Sequence, residues 1–146
     1  MRARKPAAGG VAYRRIVVPL GDDEESELGV ALAAELAPEG GAAITAVVVI
    51  EVPPELPLDA HMRDEEELAR RALEQANAIA ASRGVRLRER VTRARARGEA
   101  IVAEAEVAQA DLIVVRASRK PGTALFGRTV DYVLRHACCR VLVMRP

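Results

Sequence analysis

Apolar positions along the chain follow two alternating patterns. Short unbroken runs rich in β-branched residues occupy Ile16–Leu20, Ala46–Ile50, Leu112–Val115 and Val141–Met144. Such runs suit strands covered on both faces, as in a parallel sheet. Between them lie longer stretches of Ala, Leu and Glu with helical spacing, which predict helices over Glu24–Ala37, Asp64–Arg83, Gly98–Gln109 and Phe126–Ala137. The segment Arg86–Thr92 alternates charge with Leu87 and Val91, the pattern of a strand with a wet face at a sheet edge. The chain therefore reads as five strands and four helices taken by turns, without an internal repeat. Parallel strands joined by helices demand right-handed crossovers, so the predicted architecture is a doubly wound, three-layer α/β sandwich of Rossmann-like type. In such a sheet a ligand binds beyond the carboxyl ends of the strands where the winding reverses. Here that crevice is expected after Leu20 and after Val115.

Helix boundaries carry matching punctuation. Asp22–Glu25 and Asp64–Glu67 place negative charge at helix starts, where the macrodipole favours it by about 0.3–1 kcal/mol per group. Pro38 and Gly40–Gly41 stop the first helix, and Gly84 after Arg83 is placed for a left-handed C-cap.

At 146 residues the chain fits one domain, expected over 13–146 behind a loose N-terminal arm at 1–12. Aromatic residues make up only 2%, so the core must be built from Val, Leu, Ile and Ala, and stacking of bases on rings is excluded as a route to nucleic acid. Adjacent Cys138 and Cys139 cannot frame a disulfide scaffold, which fits a reducing, cytoplasmic setting. The basic start Met1–Lys5 is not followed by a long apolar stretch of a leader peptide, and no apolar run reaches the ~20 residues of a membrane helix. No direct membrane insertion is therefore expected.

A net charge of +1 conceals segregation. Gly21–Glu67 holds fourteen acidic residues and one basic; Arg83–Gly98 holds seven arginines and one glutamate; Arg116–Pro146 holds seven basic residues and Asp131. Solvated faces account for the middle stretch, whereas the last can form a positive surface for an anionic ligand.

Candidate chemistry is sparse. Cys138 and Cys139 lie between a helix and a strand with no acidifying partner in the pattern, so a structural role is expected. His61 and His136 have no metal-ligand spacing around them, and Ser26, Ser82 and Ser118 lack a nucleophile elbow. No metal site and no catalytic constellation is read, and the chain is expected not to be an enzyme.

Five segments resemble the universal stress protein family. They are the opening strand with its proline, Ile16-Val-Val-Pro-Leu20; the second strand end, Val49-Ile-Glu-Val-Pro53; the helix entry Gly98-Glu-Ala-Ile101; the strand Ala110-Asp-Leu-Ile-Val-Val115; and the tail from Gly127 to Pro146. The resemblance runs from about Tyr13 to Pro146 and implies strand order 3-2-1-4-5 and pairing of two copies through the last strand. The segment Glu51–Ala60 is further similar to variants of this domain attached to membrane amino-acid and cation transporters, which implies a transporter or another stress protein as a partner.

Family members with a nucleotide site resemble one another in a Gly-x-x-Gly turn after the fourth strand, a nine-residue spacer, and Gly-Ser or Gly-Thr opening the last helix. Glycines there let backbone amides approach phosphate oxygens, and the helix N-terminus offers unpaired N–H groups. This chain departs from the pattern. Arg116-Ala-Ser-Arg119 replaces the glycine turn, only seven residues (Lys120–Phe126) precede Gly127, Arg128 stands where Ser or Thr is usual with Thr129 next, and Gly21 takes the place of an aspartate that Asp22 follows one residue late. A non-glycine residue at positive φ costs roughly 1–2 kcal/mol, and two arginine side chains fill space meant for a triphosphate. ATP in the usual manner is therefore not expected.

What remains is a cluster of cations that can hold phosphate by charge-assisted bonds. The expected site is Arg116, Arg119, Gly127, Arg128 and Thr129 for the anion, with Pro19, Gly21, Val49 and Val115 against the base. The cofactor class is an adenine nucleotide or another phosphate-containing ligand, bound weakly by a regulatory domain. Three alternatives stand beside it: an interaction module with a vestigial pocket, an ordinary ATP- or AMP-binding stress protein, and, last, an adenylate-handling enzyme.

Overall fold

The computed structural model of the chain describes residues 12–21, 26–38, 41–117 and 126–145. Nine elements alternate: β1 (Arg15–Leu20), α1 (Ser26–Leu36), β2 (Ala43–Glu51), α2 (Arg63–Ser82), β3 (Arg86–Ala94), α3 (Arg97–Val107), β4 (Leu112–Arg116), α4 (Arg128–His136) and β5 (Arg140–Met144). The strands form one parallel sheet in the order β3-β2-β1-β4-β5. The doubly wound α/β reading is thus borne out, with β3 at an edge as its alternating charges required. The expected arm lies outside the described residues except for Ala12, as do the acidic helix start Asp22–Glu25 and Gly40.

Element bounds differ from the pattern where the backbone gives a reason. β2 begins at Ala43 rather than Ala46, because the Ala43 amide donates to the Arg14 carbonyl at 2.8 Å and pairing with β1 starts there. α4 begins at Arg128 rather than Phe126, because Gly127 at φ 98° leaves helical geometry. Gly84 does take the left-handed conformation, φ +69°, with its N–H donating to Ala81 O at 3.1 Å.

Two apolar layers sandwich the sheet. Ile16, Val18, Ile44, Ala46, Leu112 and Val114 face Val30 and Ala33 of α1 and Leu73 and Ala76 of α2. Val17, Val47, Val49, Ile113 and Val115 face Ile101 and Ala105 of α3 and Val130 and Val133 of α4. Strand alternation therefore assigns each residue to a helical layer.

The seam between β1 and β4, where the winding reverses, is closed at one end only. Asp111, just before β4, accepts the Arg14 amide at 2.9 Å and the Arg15 amide at 3.1 Å, while its own N–H donates to Arg15 O at 2.8 Å. Registered pairs follow at Ile16↔Leu112 and Val17↔Ile113 and then stop. By contrast β2 stays in register with β1 as far as Leu20, and β5 with β4 as far as Arg116. Pro19, which has no N–H to give to a ladder, lies in the part of β1 that has left β4.

The Asp111 staple generates a prediction. Asp111→Ala removes the acceptor for two backbone amides and should cost about 1–3 kcal/mol, read in urea denaturation, with Asp111→Asn recovering part of it. Unchanged stability in both variants would show that water replaces the carboxylate without loss.

Candidate functional site

The carboxyl end of the β1–β4 seam, where registered pairing has stopped and the winding reverses, is the place where a doubly wound sheet can form a ligand crevice. Its β1 wall ends at Pro19, Leu20 and Gly21, and its β4 wall at Val115, Arg116 and Ala117. α4 starts beside it in the helical layer over Val17 and Val115, and Gly127 at its N-terminus turns through positive φ. The first amides of α4, from Arg128 onward, have no acceptor one turn earlier in the helix; the first such bond is Asp131 N to Gly127 O at 2.9 Å. Thr129 is half-buried and Arg128 exposed at this mouth.

The expected residues are brought together in part. Pro19, Val49 and Val115 share, by strand alternation, the face that α3 and α4 cover, and Val49 and Val115 lie buried in its apolar layer. Arg116 alternates onto the opposite face, where its Nε donates to the Arg145 carbonyl at 3.4 Å. Arg119, Ser118 and Lys120 lie outside the described residues.

The positive-φ cost expected for an arginine in place of the first glycine does not arise at Arg116. Arg116 is the last residue of β4, and Gln109 is the one non-glycine with positive φ among the described residues. No strain attaches to Arg116, so only the bulk and charge of its side chain separate it from a glycine.

Residues that the sequence pattern did not single out order the flank of the crevice. Arg95 donates through Nη1 to the carbonyls of Val52 (3.3 Å), Pro53 (2.5 Å) and Leu56 (2.8 Å). Arg93 donates to Ala60 O at 2.7 Å and pairs with Glu66. Together they pin the segment after β2, which presents exposed Leu56 and Leu58. Glu51 accepts the Arg97 amide at 2.9 Å and so caps α3 from another element. These are contacts between residues 27 to 46 positions apart, which local patterning cannot reveal.

The remaining candidates take structural roles. His136 Nδ1 lies 2.9 Å from Tyr132 O and its ring stacks on Tyr132 with centroids 4.0 Å apart. Cys138 and Cys139 are unpaired and line a hollow of about 250 Å³ with Val102, Ala105, Glu106, Gln109 and Ala110, at the opposite end of the sheet from the crevice. Burial, then the nearby charge of Asp111, pushes the Cys139 thiol up, which keeps it protonated and poorly nucleophilic. No group of His, Cys, Asp and Glu among the described residues could hold a metal ion, and no described helix is long and apolar enough to cross a membrane.

Comparison with known proteins places this geometry. The profile of the Universal stress protein family matches residues 12–145. A universal stress protein, UspA from Lactobacillus plantarum, superposes with TM-score 0.74 at 23% identity, covering 93% of this chain and 100% of that one. The universal stress protein from Archaeoglobus fulgidus in complex with dAMP gives 0.72 at 21%, covering 91% and 98%. A universal stress protein in complex with cAMP gives 0.66 at 23%, covering 92% and 98%. Likeness at such identities carries the fold. No curated protein sequence matches the chain.

The position of α4, and so of the crevice mouth, rests on one close approach. A Cβ at Gly98 of α3 would stand 2.8 Å from Tyr132 Cβ of α4. Gly98→Ala should therefore force α4 outward at a cost of about 1–3 kcal/mol, with faster amide exchange in the first turn of α4. A variant as stable and as protected as the parent would mean that α4 is held elsewhere.

Proposed function

The chain belongs to the universal stress protein family, and from that premise we propose that it is a cytoplasmic regulatory domain whose crevice binds a phosphorylated or anionic small molecule weakly, and not ATP in the usual manner. The observation that carries this reading is the start of α4 at the carboxyl end of the sheet, where exposed Arg128 follows Gly127 at positive φ. Amide donors and a partial positive charge at a helix start favour an anion, and arginine adds charge-assisted bonds. The complexes of relatives with dAMP and cAMP support an adenine nucleotide as the ligand class. Arg119, where the family has its second glycine, is the further cation of this reading on the sequence alone.

A thermal-shift series tests it. A ligand at ten times its Kd stabilises by about 1.4 kcal/mol, which for a domain of this size is roughly 3–6 °C. AMP or a cyclic nucleotide at millimolar concentration should give a rise of that order, ATP no more than AMP, and Arg119→Glu should abolish it. A rise with ATP well above that with AMP restores the ordinary family role. No rise with any nucleotide or with sulfate leaves the interaction-module reading.

That second reading has its own support. The segment Glu51–Ala60 is held by Arg93 and Arg95 and offers Leu56 and Leu58 to solvent beside the crevice. A surface ordered from within and apolar outside suits a protein partner, such as a transporter or another stress protein.

We infer also that two copies pair through β5, whose outer edge no described element covers and whose sequence is Arg-Val-Leu-Val-Met. Sedimentation at tens of micromolar should give a dimer, and Val143→Asp a monomer. A monomeric parent would remove this interface.

A further inference from the structure

The other sheet edge, β3, is rich in arginine. β3 pairs with β2 along its whole length from Arg86 to Ala94 and packs α2 and α3 on its faces, while its outer edge has no described neighbour. A nine-residue edge of this kind offers a row of backbone donors and acceptors to an added strand.

Its side chains divide by face. Arg86, Arg88 and Arg90 stand on the α3 side, where Arg90 pairs with the nearly buried Glu104 through two hydrogen bonds of 3.0 and 3.1 Å. Leu87, Glu89, Val91 and Arg93 stand on the α2 side, where Glu89 meets Asn77, Arg93 meets Glu66, and Leu87 packs on the core. The fold thus uses Arg90 and Arg93. The guanidinium groups of Arg86 and Arg88 are exposed and have no ion-pair or hydrogen-bond partner among the described residues. Val91 on the other face is 48% exposed.

Two consequences follow from charge. An antiparallel copy centred on Arg88 would set Arg88 against itself and Arg86 against Arg90, and like charges directly opposite destabilise a pair. That register is therefore disfavoured. A strand with carboxylates at alternate positions would instead place them opposite Arg86 and Arg88, with its intervening apolar residues beside Leu87 and Val91. We infer that β3 is a docking edge for an extended acidic segment of a partner protein, one in which acidic and apolar residues alternate. This is independent of the crevice and of β5.

The test uses the full chain and a labelled peptide of repeated Glu-Val pairs, followed by fluorescence anisotropy. The expected result is binding of the Glu-Val peptide, with a Lys-Val peptide of equal length and a Glu-Val peptide N-methylated at alternate amides both much weaker. Arg86→Glu with Arg88→Glu should weaken the acidic peptide by about tenfold or more, as two cross-strand pairs of up to 1 kcal/mol imply, and improve the basic one. Arg86→Gln with Arg88→Gln, which adds no repulsion, should fall between. Equal binding of acidic and basic peptides, an unchanged preference after charge reversal, or full binding of the N-methylated peptide would overturn the inference. So would no binding at all, which would leave the arginines as guards against aggregation only.

Discussion

A doubly wound sheet must change direction somewhere, and here everything of interest depends on how the β1–β4 seam is held. β1 is followed by α1 on one face of the sheet and β4 by α4 on the other, so the elements after the two strands lie on opposite sides of this seam. Asp111 closes it at the amino end by accepting two amides of the neighbouring chain segment. Beyond Val17↔Ile113 nothing in the ladder continues it, and Pro19 could not contribute a donor there. A staple at one end and a proline near the other thus set where the registered pairing of this seam begins and ends.

The arginines of the middle stretch show how much a net charge hides. A solvated face explains Arg83, whose 3.4 Å contact with Glu35 is exposed and contributes little. It does not explain Arg93 and Arg95, which donate to backbone carbonyls of a segment with three exposed prolines and few partners of its own. Nor does it explain Arg90, which matches the one nearly buried carboxylate of α3. The side chains of Arg93 and Arg95 here substitute for ladder bonds that proline-rich backbone cannot make, whereas Arg86 and Arg88 of β3 have no such partner among the described residues.

The fold was legible because its signals are local. Runs such as Ala46–Ile50 and Leu112–Val115 are apolar on both faces since both are covered, and Arg86–Thr92 sets charge beside Leu87 and Val91 because it is an edge strand; periodicity alone carries that distinction. The site was legible only in outline. Position after β1 and β4 follows from topology, but the role of Asp111 is a bond to residues 96 and 97 positions away, and the roles of Glu51 and Arg95 are of the same kind. A residue whose partner lies in another element leaves no trace in its own neighbourhood. The start of α4 was misplaced by two residues because Phe126 looks like a helix entry by hydrophobicity, whereas positive φ at Gly127 decides the matter.

Arg116 shows most clearly what the scaffold permits. Where a glycine is needed for its backbone, an arginine would distort the turn, and scaffold and function would be lost together. Arg116 instead completes β4 in register with Met144, its Nε on the Arg145 carbonyl, so the strand is indifferent to the substitution. The close approach of Gly98 to Tyr132 still sets α4, and Gly127 still opens it. A change of side chain at the end of β4 therefore leaves the strand and its neighbours in place, because they are fixed by the Asp111 staple and the core on either face.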